Sequence, residues 1–304
     1  MLDVGCDVCG ADIAETYAIR PPRADVLHTR FVRCAKCGFI YANPRATPEE
    51  ARRFYEAMSS RGSGSLSVSV NSRAWERAVQ SRRRHLERAL PLVTRPRPVQ
   101  FLELGFGDGS ALAAARELGW EPHGLEYANW LVIAARDRLG IDAVTHGGLE
   151  DAGFDDESFD VVYSWHVVEH VPDIDVWLSD IARLLRPGGV LILGTENSDC
   201  VYGTIWCGVF KLLGRVPWPP TSADHTYWFS RRSLVALVSR HGLEPVEVKA
   251  YENDPFEIVR GESLSRLRNP RWAASLTIYL LSSVVSVVIP RLGGKLWLVA
   301  VKTP

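Results

Sequence analysis

Ten residues constrain this chain more than any others: Phe101-Leu102-Glu103-Leu104-Gly105-Phe106-Gly107-Asp108-Gly109-Ser110. The residues leading in, Val99 to Leu102, lean apolar and β-prone, and those leading out, Ala111 to Leu118, form a strong helix-forming run. The order is therefore strand, glycine loop, helix. Three glycines at alternate positions let the backbone turn tightly and approach a ligand with no Cβ in the way. The helix start at Gly109 and Ser110 presents unpaired N–H groups to a carboxylate or phosphate.

Two details choose among ligands. A dinucleotide loop carries glycine or alanine at its sixth position; counted from Gly105, that position is Ser110. An acid, Glu103, stands two residues before the first glycine. A cofactor without a pyrophosphate needs no phosphate cradle, whereas an ammonium wants a carboxylate. Acid-x-Gly-x-Gly-x-Gly closely resembles the loop of class I S-adenosylmethionine (SAM) methyltransferases. The resemblance implies that Glu103 fixes the amino group of the methionine part, that Gly105, Phe106, Gly107 and Gly109 line it, and that Tyr127 and Trp165 border it. Glu126 closes the second expected strand, 21 residues after Gly105, where an acid accepts the ribose hydroxyls of a nucleoside. Gly148-Leu149-Glu150-Asp151 follows the third strand. In the family this turn holds the adenine, so Leu149 would pack on its face; Gly148 stands where aspartate is common, and Glu150 would take its place.

From Val99 onward, strand and helix patterns alternate. Strands are expected at 99–104, 122–126, 142–146, 159–164 and 189–195, and helices at 110–118, 128–138, 173–185 and 230–240. Such alternation predicts an α/β fold with a parallel, doubly wound sheet. The runs Phe154 to Ser164 and Leu184 to Ile192, the latter containing Arg186-Pro187-Gly188-Gly189, extend the resemblance over about residues 98–250. The family's Rossmann-like sheet has seven strands, the last of them antiparallel, and Lys295 to Lys302 matches that last strand.

Cys6-x-x-Cys9 and Cys34-x-x-Cys37 form a double pair, and glycine follows each (Gly10, Gly38). Four thiolates at this spacing predict a closed, structural zinc site. The piece from Cys37 to Tyr55 resembles the zinc ribbon that precedes many bacterial small-molecule methyltransferases. Thr47, followed by Pro48, Glu49 and Glu50, predicts a helix start. The expected domains are a ribbon with its helix at 1–58, a linker and basic helix at 59–97, and the methyltransferase domain at 98–304. Residues 59–72 read as a linker or flap, residues 73–90 as one basic amphipathic helix, and Arg82-Arg83-Arg84 as its solvated face. Cys200 and Cys207 read as plain apolar residues.

The net charge of −1 conceals an asymmetry: residues 1–97 carry 17 Lys+Arg against 10 Asp+Glu, and residues 98–304 carry 18 against 26. That N-terminal surplus is too thin for a nucleic-acid footprint, so nucleic acid is not expected as a partner. Asp3 and Asp7 stand where a signal peptide needs an apolar core. With the metal-like cysteine spacing, this predicts a reducing cytoplasm.

His166-Val167-Val168-Glu169-His170 follows the fourth strand. On a helix, positions i, i+3 and i+4 share one face. A sulfonium leaves as a neutral thioether and needs no acid; the acceptor needs a base, a task that suits histidine. The segment resembles the Glu/His motif of ubiquinone-type O-methyltransferases, where related positions can hold a divalent ion. Asp224 to Ser230 resembles the family's later histidine-aromatic segment and would bring His225 into the same cleft. His166, Glu169, His170 and His225 are thus the candidate catalytic groups for O-methylation of an apolar or aromatic small molecule.

Two apolar insertions, at about 198–222 and 255–292, flank this region. Residues 272–289 run 18 positions without a charge, the minimum for a membrane span. A span would separate the last strand from its sheet, so none is expected. Ser275, Tyr279, Ser282 and Ser286 also recur as a semi-polar stripe. A lid over the acceptor, a homodimer surface, an in-plane membrane contact and plain core packing all remain open. The alternatives for function are a C- or N-methyltransferase acting on a sugar or an rRNA base, or a non-catalytic SAM-fold binding protein.

Overall fold

The computed structural model describes residues 1–23, 25–60, 72–93, 98–214, 216, 224–251 and 270–303. The serine- and glycine-rich stretch at 61–71 and the parts of the insertions at 217–222 and 255–269 lie outside the described residues.

The N-terminal unit begins with β1 (Ala14–Ile19) antiparallel to β2 (Arg30–Cys34), which β3 (Ile40–Ala42) joins on its other side. Helix α1 (Pro48–Ser60) follows. It starts in a capping box: Glu50 N donates to Thr47 Oγ1 at 3.2 Å and Thr47 N donates to Glu50 Oε2 at 2.9 Å. Helix α2 (Arg73–Glu87) starts at Ser72, whose hydroxyl accepts from Trp75 N.

The chain then alternates as its pattern predicts. Its elements are β4 (Gln100–Leu104), α3 (Ser110–Glu117), β5 (Glu121–Glu126), α4 (Asn129–Ala134), β6 (Val144–His146), β7 (Phe159–Trp165), α5 (Ile174–Leu184), β8 (Leu185–Glu196) and α6 (Val201–Leu212). After them come β9 (Tyr227–Trp228), α7 (Arg231–Arg240), β10 (Leu243–Tyr251), α8 (Pro270–Val288) and β11 (Lys295–Lys302). Seven strands form one sheet in the order β10-β11-β8-β7-β4-β5-β6. Strands β4 to β8 run parallel, and β11 is antiparallel to both of its neighbours. This is the expected Rossmann-like sheet. Its order turns back between β4 and β7, so the loops after those strands open side by side at the carboxyl edge, where open α/β sheets bind ligands.

Period-two alternation feeds two cores. Phe101, Val161, Tyr163, Ile192 and Val299 pack on one face with residues of α2, α3 and α4. Leu102, Val162, Leu191, Leu193 and Leu298 pack on the other with α5 and α7.

A second sheet, in the order β1-β2-β3-β9, unites the N-terminal unit with the rest. Its last strand comes from far downstream: Ile40 pairs with Trp228 and Tyr41 with Tyr227. The Phe39 ring lies 5.7 to 5.8 Å from the rings of Tyr41, Tyr227 and Phe229. Arg45, buried in the same junction, donates to both oxygens of Asp7 at 2.9 and 2.6 Å and to Tyr227 Oη at 2.8 Å. His28 adds a further tie: its Nε2 accepts from Ala46 N, so its Nδ1–H donates to the carbonyl of His225, each at 3.1 Å.

Truncating Arg45 strands the partly buried Asp7 carboxylate, which costs at most about 3–5 kcal/mol, the figure for a fully buried pair. Arg45→Ala is expected to lower stability by that order in urea unfolding. Adding Asp7→Ala should recover part of the loss, because the orphaned charge goes with it.

Candidate active site

The candidate cofactor seat lies where β4 gives way to its loop. Glu103, the fourth residue of β4, is only 4% exposed, and its Oε2 has no hydrogen-bond partner. Burial pushes its carboxyl well above the usual range, and the nearby Arg82 offsets only part of this. An ammonium placed beside a buried acid in this state would ionise and satisfy it. Gly105 (φ +64°) turns the chain, and a Cβ there would lie 2.5 Å from Val167 Cγ2. A Cβ on Gly107 (φ +53°) would meet nothing within 4 Å, so the loop faces open space.

Glu126 ends β5 beside that loop. Its Oε2 accepts from Gly107 N and its Oε1 from Ala128 N, both at 3.0 Å. Burial raises its carboxyl and these backbone donors lower it. Tyr127 donates its hydroxyl to Glu150 Oε1 at 2.9 Å, and Leu149 is buried just before Glu150. Phe106 departs from expectation: its ring packs in the core against Gly124, Leu112 and Val144, so only its backbone faces the loop.

Arg82 departs in the opposite direction. Its guanidinium lies 4.8 Å over the Trp165 ring rather than on a solvated face. His85, one turn later, sits between the rings of Trp165 (4.4 Å) and Trp297 (4.7 Å), and its Nδ1 meets Tyr163 Oη at 3.1 Å. Sequence reasoning missed both; the only signal was their i, i+3 spacing on one face of α2.

The polar cluster sits past β7. Residues 166–170 form a turn, with His166 at φ +57°, not the expected helical face. The turn still brings the groups together. His166 Nδ1 meets Glu169 Oε1 at 2.8 Å, and Lys295 Nζ donates to His166 Nε2 at 3.0 Å. Thr195 Oγ1 donates to Glu169 Oε2 at 2.8 Å. Burial works to raise the Glu169 carboxyl, but the His166 hydrogen bond and the nearby His170, His166 and His225 win and hold it at about 2.

His170 Nδ1 lies 3.3 Å from Asp224 Oδ2 and 3.2 Å from Tyr55 Oη. Tyr55 also reaches the Asp224 carbonyl at 3.3 Å, so its hydroxyl donates there and accepts from the His170 Nδ1–H. Burial lowers His170, but the Asp224 hydrogen bond and charge outweigh it, and the net shift is upward. The His225 ring stands edge-on to His170 at 4.6 Å. His225 is itself buried, and its Nδ1 lacks a hydrogen-bond partner. Tyr55, Asp224 and Lys295 were not among the expected site residues, although each lies at the end of a segment singled out from the sequence (37–55, 224–230 and 295–302).

The four cysteines also converge. Cys6 and Cys37 Sγ are 3.4 Å apart and Cys9 and Cys34 Sγ 3.6 Å, too long for S–S bonds. All four sulfurs lie within 4.8 Å of one another. Tetrahedral Zn–S bonds of about 2.3 Å need sulfurs about 3.8 Å apart, so the cage fits that ion.

A family model described as a methyltransferase domain matches residues 74–248. The ubiquinone biosynthesis O-methyltransferase of Brucella ovis is 34% identical over 133 residues, covering 40% of this chain and 52% of that protein. The protein of the same name from Brucella anthropi is 32% identical over 187 residues, covering 57% and 71%. The chain thus spans about half the length of the first of these curated relatives. Among solved structures, a chain of the complex between the Haloferax volcanii Trm112 methyltransferase activator and a methyltransferase superposes with a TM-score of 0.52. That chain is 21% identical, and the match covers 82% of this chain and 98% of that one. At this identity the likeness speaks for the fold.

The chain belongs to the methyltransferase domain family. The strand order above is the one expected of the class I SAM-dependent group.

Three histidines are held neutral by burial: His28 at about 4, and His85 and His225 at about 3, with neighbouring cations adding to the effect. The unfolded chain takes up protons near 6.5, where the folded chain does not. Their contribution is therefore complete above pH 6.5 and is lost as pH falls toward 4. His170, shifted upward, and the raised carboxyls of Glu103 and Glu126 work in the opposite sense. The pH dependence is therefore read one residue at a time: with His28→Gln, the change in urea stability between pH 7 and pH 5 is expected to lose the His28 share, a fall of about 2 kcal/mol relative to the parent.

Proposed function

We propose that the chain transfers methyl groups from SAM to oxygen on an apolar or aromatic small molecule, with His170 as the base. The observation that carries this reading is the His170 environment. Its Nδ1 is engaged by the Asp224 carboxylate and the Tyr55 hydroxyl, which fixes the proton on Nδ1. The Nε2 lone pair is then left for an acceptor proton. The upward shift keeps that nitrogen basic in the neutral range.

SAM supplies a methyl group on a sulfonium, which departs as an uncharged thioether. Glu103 holds the ammonium, Glu126 the ribose hydroxyls and Leu149 the adenine face. Tyr127 and Glu150 close the adenine end, and Trp165 and Arg82 wall the methionine end. His166 is occupied at both nitrogens by Glu169 and Lys295, so it positions the turn. Relatives named for ubiquinone biosynthesis O-methylation support oxygen as the target and an apolar acceptor.

Glu169, His170 and His225 bring ligand atoms within 4.8 Å of one another. Both Glu169 oxygens are already engaged by His166 and Thr195, however, and two imidazoles suit a hard divalent cation poorly. The donor set does not fit such an ion, and these groups are assigned to proton transfer and positioning. The ribbon cysteines are assigned to one structural zinc.

Calorimetry with S-adenosylhomocysteine should show binding, weakened about tenfold or more by Glu103→Gln. With SAM and a panel of phenols, His170→Ala should cut methyl transfer about 10²–10⁴-fold while leaving that affinity intact. Transfer within threefold of the parent overturns the base assignment. Metal analysis should find one zinc per chain, absent from Cys9→Ser.

A further inference from the structure

Beside the histidines stands a second carboxylate that the protein leaves unanswered. Glu196 is the last residue of β8, at the carboxyl edge of the large sheet. Its side chain is 29% exposed. Burial raises its carboxyl and Glu169 adds to the effect, against Lys295, His166 and His170. Among the described residues, the one ion-pair contact of Glu196 is His225 Nδ1, 3.6 Å from its Oε2 and too far for a hydrogen bond. The two do not form a charge pair either, because burial holds the His225 imidazole neutral, at about 3. His225 is only 4% exposed, and its Nδ1 has no hydrogen-bond partner.

The nearest basic side chain on the sheet does not resolve this. Lys295 faces Glu196 across the β8–β11 ladder, but its Nζ donates to His166 Nε2 at 3.0 Å instead. Helix α8, which leads toward Lys295, turns hydroxyls inward: Ser282, Ser283 and Ser286 are buried. It is not a span, since no helix among the described residues is long and apolar enough to cross a membrane. Glu196 nevertheless belongs to the polar cluster past β7. His225 stands edge-on to His170 at 4.6 Å, so the carboxylate lies one imidazole away from the assigned base.

We propose that Glu196 is a specificity-determining residue on the acceptor side of the cleft, and that it pairs with a protonated amine carried by the aromatic acceptor whose hydroxyl meets His170. An ammonium brings a full positive charge and several N–H donors, so it offsets the cost of a desolvated carboxylate. A neutral acceptor leaves that carboxylate unpaired, and an acceptor carrying its own carboxylate sets like charges together. The amine anchors one end of the acceptor and thereby orients the hydroxyl at the other. This deepens the O-methylation reading and rests on it for where the acceptor lies.

The test is calorimetry on the full chain saturated with S-adenosylhomocysteine. Three phenols serve as probes: tyramine, para-ethylphenol and para-hydroxyphenylpropionate, which carry an ammonium, no charge and a carboxylate. Tyramine should bind about tenfold more tightly than para-ethylphenol, and the propionate more weakly than either. Glu196→Gln keeps the shape and removes the charge. It should erase the tyramine preference while S-adenosylhomocysteine binding stays unchanged. Equal binding of tyramine and para-ethylphenol, or no measurable tyramine binding, overturns the proposal. So does a preference that survives Glu196→Gln, which would assign it to another acid of the cluster. A variant that loses affinity for SAM but not for S-adenosylhomocysteine also overturns it, because Glu196 would then serve the sulfonium. No methyl group moves in this assay. A failed base assignment, read from turnover of His170→Ala, therefore leaves the ammonium preference standing, and loss of the preference leaves the base assignment standing.

Discussion

The buried carboxylate of Glu103 is the constraint around which this molecule is arranged. An acid on the central strand, walled by apolar neighbours and with one oxygen unbonded, costs free energy in the unliganded protein. In the proposed reading, a cationic ligand removes that cost on binding. The rest of the seat follows from that placement. The parallel strands put the loop after β4 beside the turn after β7. The glycines keep side chains out of the space between them, and Glu126 pins the loop from the adjoining strand.

The ribbon is the second organising element, because it reaches into the chemistry. Its sheet is completed by β9, its buried Arg45 bonds Tyr227, and its His28 bonds the backbone of His225. Helix α1, which follows it, delivers Tyr55 to His170. The four-cysteine cluster thus lies in the same unit that supports the His170 imidazole. The site is shared between two parts of the sequence about 115 residues apart at the Tyr55–His170 contact.

Much of this was legible beforehand, for identifiable reasons. The glycine loop, the alternating strands and the double cysteine pair are local patterns, and local patterns survive translation into structure. What escaped was set by tertiary contact. Strand β9 is two residues long and exists only because β3 is there to pair with it. Strand β10 mixes Glu244, Pro245, Glu247 and Lys249 into an edge position, which blurs its apolar signal. Residues 166–170 have helical spacing, but the reversal at His166 makes a turn, and convergence comes from the fold instead. Arg82 reads as one of three surface arginines until Trp165 is seen beneath it. The serine stripe of α8 shows that periodicity reports a face without saying which way it points.

The downstream origin of β9 also sets an order on biosynthesis. At about 5–20 residues per second, the ribosome needs roughly ten to forty seconds to travel from the end of β3 to Trp228. Throughout that interval the nascent ribbon holds an open strand edge and an unfilled aromatic socket. Early metal capture by the cysteines would brace the waiting segment beside its own β1–β2–β3 pairing, and the N-terminal unit, first to emerge, would be completed only after β8 has been made.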